Sequence, residues 1–171
     1  MSKREVKFKD KMYALVGPQL NAGDTAPNFE CVTGLDIQTL ASTPSKARMF
    51  SVVPSLDTPV CSQQTKRFDE SVGGLGDKVA CYTVSLDLPF AQGRFCTEQK
   101  ITNMKNLSDV RNHSFSKAYG VLIEGLPIPL TSRAIFVVDK SNKITYVEYV
   151  PEVGVHPDYD KALAALKAAA Q

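Results

Sequence analysis

No stretch of the chain approaches the roughly 18 consecutive apolar residues that a membrane-spanning helix needs. Residues 1–20 are polar and lack the apolar run of a secretory leader. The expectation is a cytoplasmic protein in a reducing compartment, with no membrane partner. A charge excess is missing too: the formal net charge is +2, which gives no broad field for nucleic acid or anionic lipid. Lys3, Arg4, Lys7, Lys9 and Lys11 are locally basic, but they alternate with Val6 and Phe8 and read as the solvated face of a hairpin. Close metal-ligand pairs are lacking. Cys31, Cys61, Cys81 and Cys96 are separated by 30, 20 and 15 positions, no Cys-x-x-Cys occurs, and His113 and His156 have no paired spacing. Structural zinc sites use such close pairs, so no metal is expected. The same gap argues against a disulfide reductase with adjacent thiols. Four cysteines in a reducing compartment are not expected to form structural disulfides. Repeats, low-complexity segments and dividing linkers are also absent.

What is present is an ordinary globular composition: 171 residues, 43% hydrophobic and 22% charged. One domain over 1–171 is expected, opened by a hairpin over about 1–17. Glu5–Phe8 and Met12–Val16 read as strands, as do Phe29–Val32 and Ile37–Leu40 about Gly34. Ala47–Val53 and Val79–Leu86 are apolar and β-branched without helical period, which marks buried strands. Between them, residues 59–72 carry Cys61, Thr65, Phe68 and Val72 on one helical face, with Gly73-Gly74 as the stop. Asp87–Gly93 reads as turn-rich, Arg94–Lys100 as a short helix and Ser114–Tyr119 as another. Ala134–Asp139 and Lys143–Val150 form a hairpin, and a last helix starts near Pro157. This order predicts an α/β architecture: a mixed central sheet flanked by helices, which a thioredoxin-like fold satisfies.

Cys61 is the chemical focus. It follows the strand that ends at Pro54, with Thr58 at the N-cap position and Pro59 opening the helix. The first turn of a helix, with its unpaired N–H groups and positive dipole end, favours an anion. The thiolate is the nucleophilic form of cysteine, and reactive groups of open α/β sheets gather at the carboxyl ends of strands. Cys61 also fits a plain place on the core face of its helix. Cys31 and Cys81 lie in apolar strands and read as inert core residues. Cys96, behind a segment with a proline and a glycine, reads equally as inert or as able to reach another thiol. The two histidines sit near helix starts and read as exposed, without a role.

Pro54-x-x-x-Thr58-x-x-Cys61 resembles the active-site signature of the peroxiredoxins. Ser55-Leu-Asp-Thr-Pro-Val-Cys61 and Asp87-Leu-Pro-Phe-Ala-Gln-Gly-Arg-Phe-Cys96 are similar to the bacterial thiol peroxidase subfamily, with its atypical two-cysteine arrangement. Ser132-Arg-Ala-Ile-Phe-Val-Val-Asp139, Gly23-Asp-Thr-Ala-Pro-Asn-Phe29 and Pro157-Asp-Tyr-Asp-Lys-Ala-Leu-Ala-Ala-Leu166 extend the resemblance over nearly the whole chain. It implies Cys61 as the peroxidatic and Cys96 as the resolving cysteine, joined in turnover by an intramolecular disulfide. It implies Thr58 and Arg133 as polar partners of thiolate and peroxide, with Pro54 as a shield from water. It further implies a hydroperoxide substrate, thioredoxin as reductant, a homodimer and no cofactor. Leu88, Pro89 and Phe90, with Ala91, are expected to form an apolar collar that favours alkyl hydroperoxides, although loop packing accounts for them equally well. Two rival readings use the same sulfur: a thiol–disulfide oxidoreductase acting on proteins, and a redox-sensing or holdase module.

Overall fold

The computed structural model describes residues 3–171, so the first two residues of the expected domain and hairpin lie outside the described part. The strands are β1 (Glu5–Phe8), β2 (Lys11–Val16), β3 (Glu30–Thr33), β4 (Asp36–Thr39), β5 (Ala47–Val52), β6 (Val79–Ser85), β7 (Met104–Ser108), β8 (Leu122–Ile123), β9 (Ala134–Val138) and β10 (Ile144–Tyr149). The helices are α1 (Pro59–Val72), α2 (Pro89–Gln99), α3 (Ser114–Ala118) and α4 (Tyr159–Ala169). Seven strands form one mixed sheet in the order β10-β9-β5-β6-β7-β3-β4. β5, β6 and β7 run parallel, and the flanking pairs are antiparallel.

The continuous apolar runs explain the centre of this sheet. β5, β6 and β9 are buried along their whole length, as expected of strands covered on both faces. Because side chains alternate along a strand, neighbours divide between two cores. Phe50 and Phe136 join Phe29, Phe115 and Tyr119 on one face, while Met49, Ile135 and Val137 meet Phe68 of α1 and Tyr159 and Leu166 of α4 on the other. Phe115 and Tyr119 stack with centroids 4.0 Å apart, and Phe136 meets the Tyr119 ring edge-on at 5.0 Å.

β1 and β2 form the expected N-terminal hairpin, and β8 extends it to a three-stranded sheet. This hairpin is more than a solvated face. Lys7 N donates to Pro151 O, and Val153 N donates to Lys7 O, each at 2.9 Å. It therefore braces residues 151–153, beside Arg133.

Several local expectations are corrected. The turn-rich reading of Asp87–Gly93 fails because α2 begins at Pro89, with extended Leu88 before it. Pro89 suits the first helical turn, and an internal Gly93 weakened the signal without breaking the helix. α1 does end at Val72, as Gly73-Gly74 predict, but the chain runs on from Gly73 as a 3-10 segment to Lys78, with Gly76 at φ +52°. β7 has no clear apolar alternation, so its sequence does not announce a strand. His113 is half-buried with φ +57°, not exposed.

Candidate active site

β5 delivers the chain to buried Pro54, and the turn at 55–58 leads into α1. Asp87, just past β6, anchors that turn. Its carboxylate accepts from Ser55 Oγ at 2.7 Å, from Leu56 N at 2.8 Å and from Ser85 Oγ at 2.8 Å. Thr58 holds the N-cap position by backbone, and Ser62 N donates to Thr58 O at 3.0 Å. Its side chain does not cap the helix as expected. The hydroxyl instead donates to Ser55 O at 2.8 Å, which leaves its oxygen able to accept.

Cys61 lies in the first turn of α1 and is fully buried, beside Val53 and Leu56, with Phe95 of α2 packed against them. Arg133 reaches it from the residue before β9. Its Nη1 stands 3.4 Å from Cys61 Sγ and 2.9 Å from Gln64 Oε1. Its Nε and Nη2 donate to Val153 O at 3.1 and 2.8 Å. Arg133 is only 2% exposed, and none of the ion pairs among the described residues includes it. A buried guanidinium held by neutral acceptors keeps its charge beside the Cys61 sulfur. Gln64 is fixed in turn, since its Nε2 donates to Ser51 Oγ at 2.7 Å.

A cavity of about 290 Å³ adjoins this cluster. Pro54, Thr58 and Arg133 are in its wall with Phe8, Leu130 and Val153, and its lining is mostly apolar. The expected collar is elsewhere: Leu88 precedes α2 and Pro89 and Phe90 open it, none of the three lines this cavity, and Leu88 and Phe90 are largely exposed. A larger open depression of about 690 Å³ runs between α1 and the start of α4, past Lys66, Arg67 and His156. Pro54, Thr58, Cys61 and Arg133 are not in its wall, so its size says nothing about the chemistry.

Cys96 sits half-buried on α2, where Asn106 Nδ2 donates to its Sγ at 3.1 Å. Burial pushes its thiol pKa up, partly offset by that hydrogen bond. All four cysteines are free thiols, so Cys61 and Cys96 each keep a separate polar partner. Cys31 and Cys81 are core residues. Burial pushes both thiols up, Cys81 to about 12, and Cys31 is raised further by the Asp109 carboxylate beside it. His156 Nδ1 pairs with Tyr159 Oη at 2.6 Å.

The structure therefore brings together Pro54, Thr58, Cys61 and Arg133, and leaves Cys96 on its own helix. Sequence reading missed Gln64, Asp87 and the Val153 carbonyl. Gln64 had a signal, a polar residue three positions after Cys61 on the buried face of α1. Asp87 and Val153 had none, because their contacts span the fold. Among the described residues, no group of three or more His, Cys, Asp or Glu is arranged for a metal ion, and no helix is long and apolar enough to cross a membrane.

The family model described as Redoxin matches residues 21–163. Curated relatives named thiol peroxidase include one from Halalkalibacterium halodurans, 48% identical over 165 residues, which are 96% of this chain and 98% of that protein. Another, from Bacillus subtilis, is 45% identical over 96% of this chain and 97% of its own length. Among solved structures, a peroxiredoxin-like protein from Aquifex aeolicus superposes with a TM-score of 0.90 at 40% identity, covering 97% of each chain.

Proposed function

The chain belongs to the redoxin family, with the thiol peroxidases, and is a peroxidase oxidoreductase; from that premise we propose that it reduces hydroperoxides through Cys61 and resolves the product with Cys96. The observation that carries this reading is the Arg133 guanidinium, fixed by Val153 O and Gln64, with Nη1 3.4 Å from Cys61 Sγ. A thiolate there attacks the terminal oxygen of the hydroperoxide. The S–O bond forms as the O–O bond breaks, and the leaving alkoxide takes a proton to become an alcohol, or water from hydrogen peroxide. Cys61 is left as sulfenic acid.

Charge near the sulfur supplies only part of the acceleration. Positioned donors supply more, because a hydrogen bond aimed at a developing oxyanion is typically worth about 10²–10³ in rate. Arg133 offers such a donor to the oxygens in flight. The Thr58 hydroxyl, its own hydrogen committed to Ser55 O, accepts a hydrogen bond from the O–H of the incoming hydroperoxide, which keeps that hydrogen as the OH passes to sulfur. Pro54 and the apolar cavity wall keep water away, and that wall favours alkyl hydroperoxides over hydrogen peroxide.

Cys96 then condenses with the sulfenic acid, releasing water and forming a disulfide. A dithiol protein of thioredoxin type reduces that bond by exchange. The test is steady-state peroxide consumption with thioredoxin and its reductase. Cys61→Ser abolishes it, and Cys96→Ser reacts once with hydroperoxide and then stalls. Full turnover by Cys61→Ser refutes the assignment of the nucleophile; normal cycling by Cys96→Ser refutes that of the resolving group.

A further inference from the structure

α2 is held differently from the helices around it. α1 buries Phe68 and Val72, and α4 buries Tyr159, Ala162 and Leu166. The only residue α2 buries is a glutamine, Gln92, while its Leu88 and Phe90 face solvent at 56% and 68% exposure. Gln92 Nε2 donates to Ser85 Oγ at 3.0 Å and to Leu107 O at 3.2 Å, tying the helix to β6 and β7. Its Oε1 is buried and accepts from none of the described residues, and the same holds for Oδ1 of Asn106, the residue that holds Cys96. An unpaired buried acceptor weakens the seated state. Gly93 inside the helix and Lys100 in the left-handed region at its end weaken it further.

What this lightly held helix covers is the active sulfur. Phe95 packs on the cluster of Val53, Leu56 and Cys61, and its neighbour is Cys96. A single departure of α2 from the sheet lifts Phe95 off Cys61 and frees Cys96 together. The pin also connects to the turn before Cys61, because Ser85 Oγ bonds Asp87, which holds Ser55 and Leu56.

We propose that Gln92 is a positioning residue, the pin that keeps α2 seated, and that its release sets how the Cys61 sulfenic acid divides between two fates. In one, Cys96 attacks and Cys61–SOH plus Cys96–SH give the disulfide and water. In the other, a second hydroperoxide oxidises the sulfenic acid to sulfinic acid and leaves as alcohol. The pin rests on the reading of Cys96 as the resolving group.

The experiment is quenched-flow mass spectrometry of the reduced full chain mixed with increasing cumene hydroperoxide, for wild type and Gln92→Met. The variant is expected to form the disulfide roughly tenfold faster, the loss of two net hydrogen bonds being partly offset by removal of the unpaired Oε1. Its half-point for sulfinic acid should move to a proportionally higher hydroperoxide dose. An unchanged division in folded Gln92→Met, beside a wild type that does form the Cys61–Cys96 bond, overturns the pin alone. No such bond in wild type overturns the resolving role as well. Hydrogen exchange on the wild-type chain gives an answer that needs no variant. The amides of α2 should exchange well before those of α1 and α4; equal protection refutes the proposal.

Discussion

Arg133→Lys keeps the positive charge and removes the fork. In the native site, three nitrogens reach three acceptors: Val153 O through Nε and Nη2, and Gln64 Oε1 and Cys61 Sγ through Nη1. A lysine ammonium is a single point and cannot span these positions together. If it stays with Val153 O and Gln64, the sulfur and the peroxide oxygens lose their donor. The loss of one donor aimed at developing negative charge costs about 10²–10³ in rate, or roughly 2.7–4 kcal/mol. If instead it swings to the sulfur, a buried carbonyl or amide oxygen is left unpaired, at about 1–3 kcal/mol of stability. The assay is stopped-flow measurement of the second-order reaction of the reduced protein with cumene hydroperoxide, with a thermal melt alongside. The expected result is a fall of about 100-fold or more, with the fold retained. A folded Arg133→Lys within threefold of wild type would show that charge near the sulfur suffices, and the argument from donor geometry would be wrong.

Two further outcomes follow from other parts of the molecule. Phe8→Ala removes an aromatic wall of the cavity beside Arg133, so kcat/KM for cumene hydroperoxide should fall several-fold, by the loss of about 1–2 kcal/mol of apolar contact, while that for hydrogen peroxide stays put; equal losses for both would remove the cavity from substrate selection. Cys81, pushed up from its ordinary 9.0 to about 12 by burial, makes stability pH-dependent. Its contribution is complete below the unfolded value and is lost as pH rises from 9 towards 12, because the unfolded chain then releases the proton first. The slope approaches ~1.4 kcal/mol per pH unit, so Cys81→Ala should show a flatter decline of Tm between pH 9 and 11; an unchanged slope would contradict the burial argument.

The central strands and α1 were legible because their patterns are local. Val-rich runs without helical period, and Cys61, Thr65, Phe68 and Val72 at helical spacing, record burial directly in sequence. α2 was half-legible: a helix that buries one glutamine leaves no apolar stripe to read, and that same feature is what makes it light on the sheet. The Thr58 position at the start of α1 could be read, but not the direction of its hydroxyl, since a short turn gave it Ser55 O instead of an N–H. Gln64, Asp87 and Val153 act by contacts that only the folded chain creates. The cavity wall was misread for a related reason. Leu88 and Phe90 are close to the key segment in sequence, whereas Phe8 and Leu130 reach it through the N-terminal hairpin and the loop before β9. The helical spacing put the sulfur on the core face but did not show what covers it, Phe95 of α2.

The most direct test of the whole account is mass spectrometry of the reduced protein after one equivalent of cumene hydroperoxide, with and without prior thiol blocking. The account predicts that peptides containing Cys61 and Cys96 become joined in the unblocked sample, while Cys31 and Cys81 remain thiols. A bond that includes Cys31 or Cys81, or an oxidised sulfur elsewhere with Cys61 intact, would contradict it.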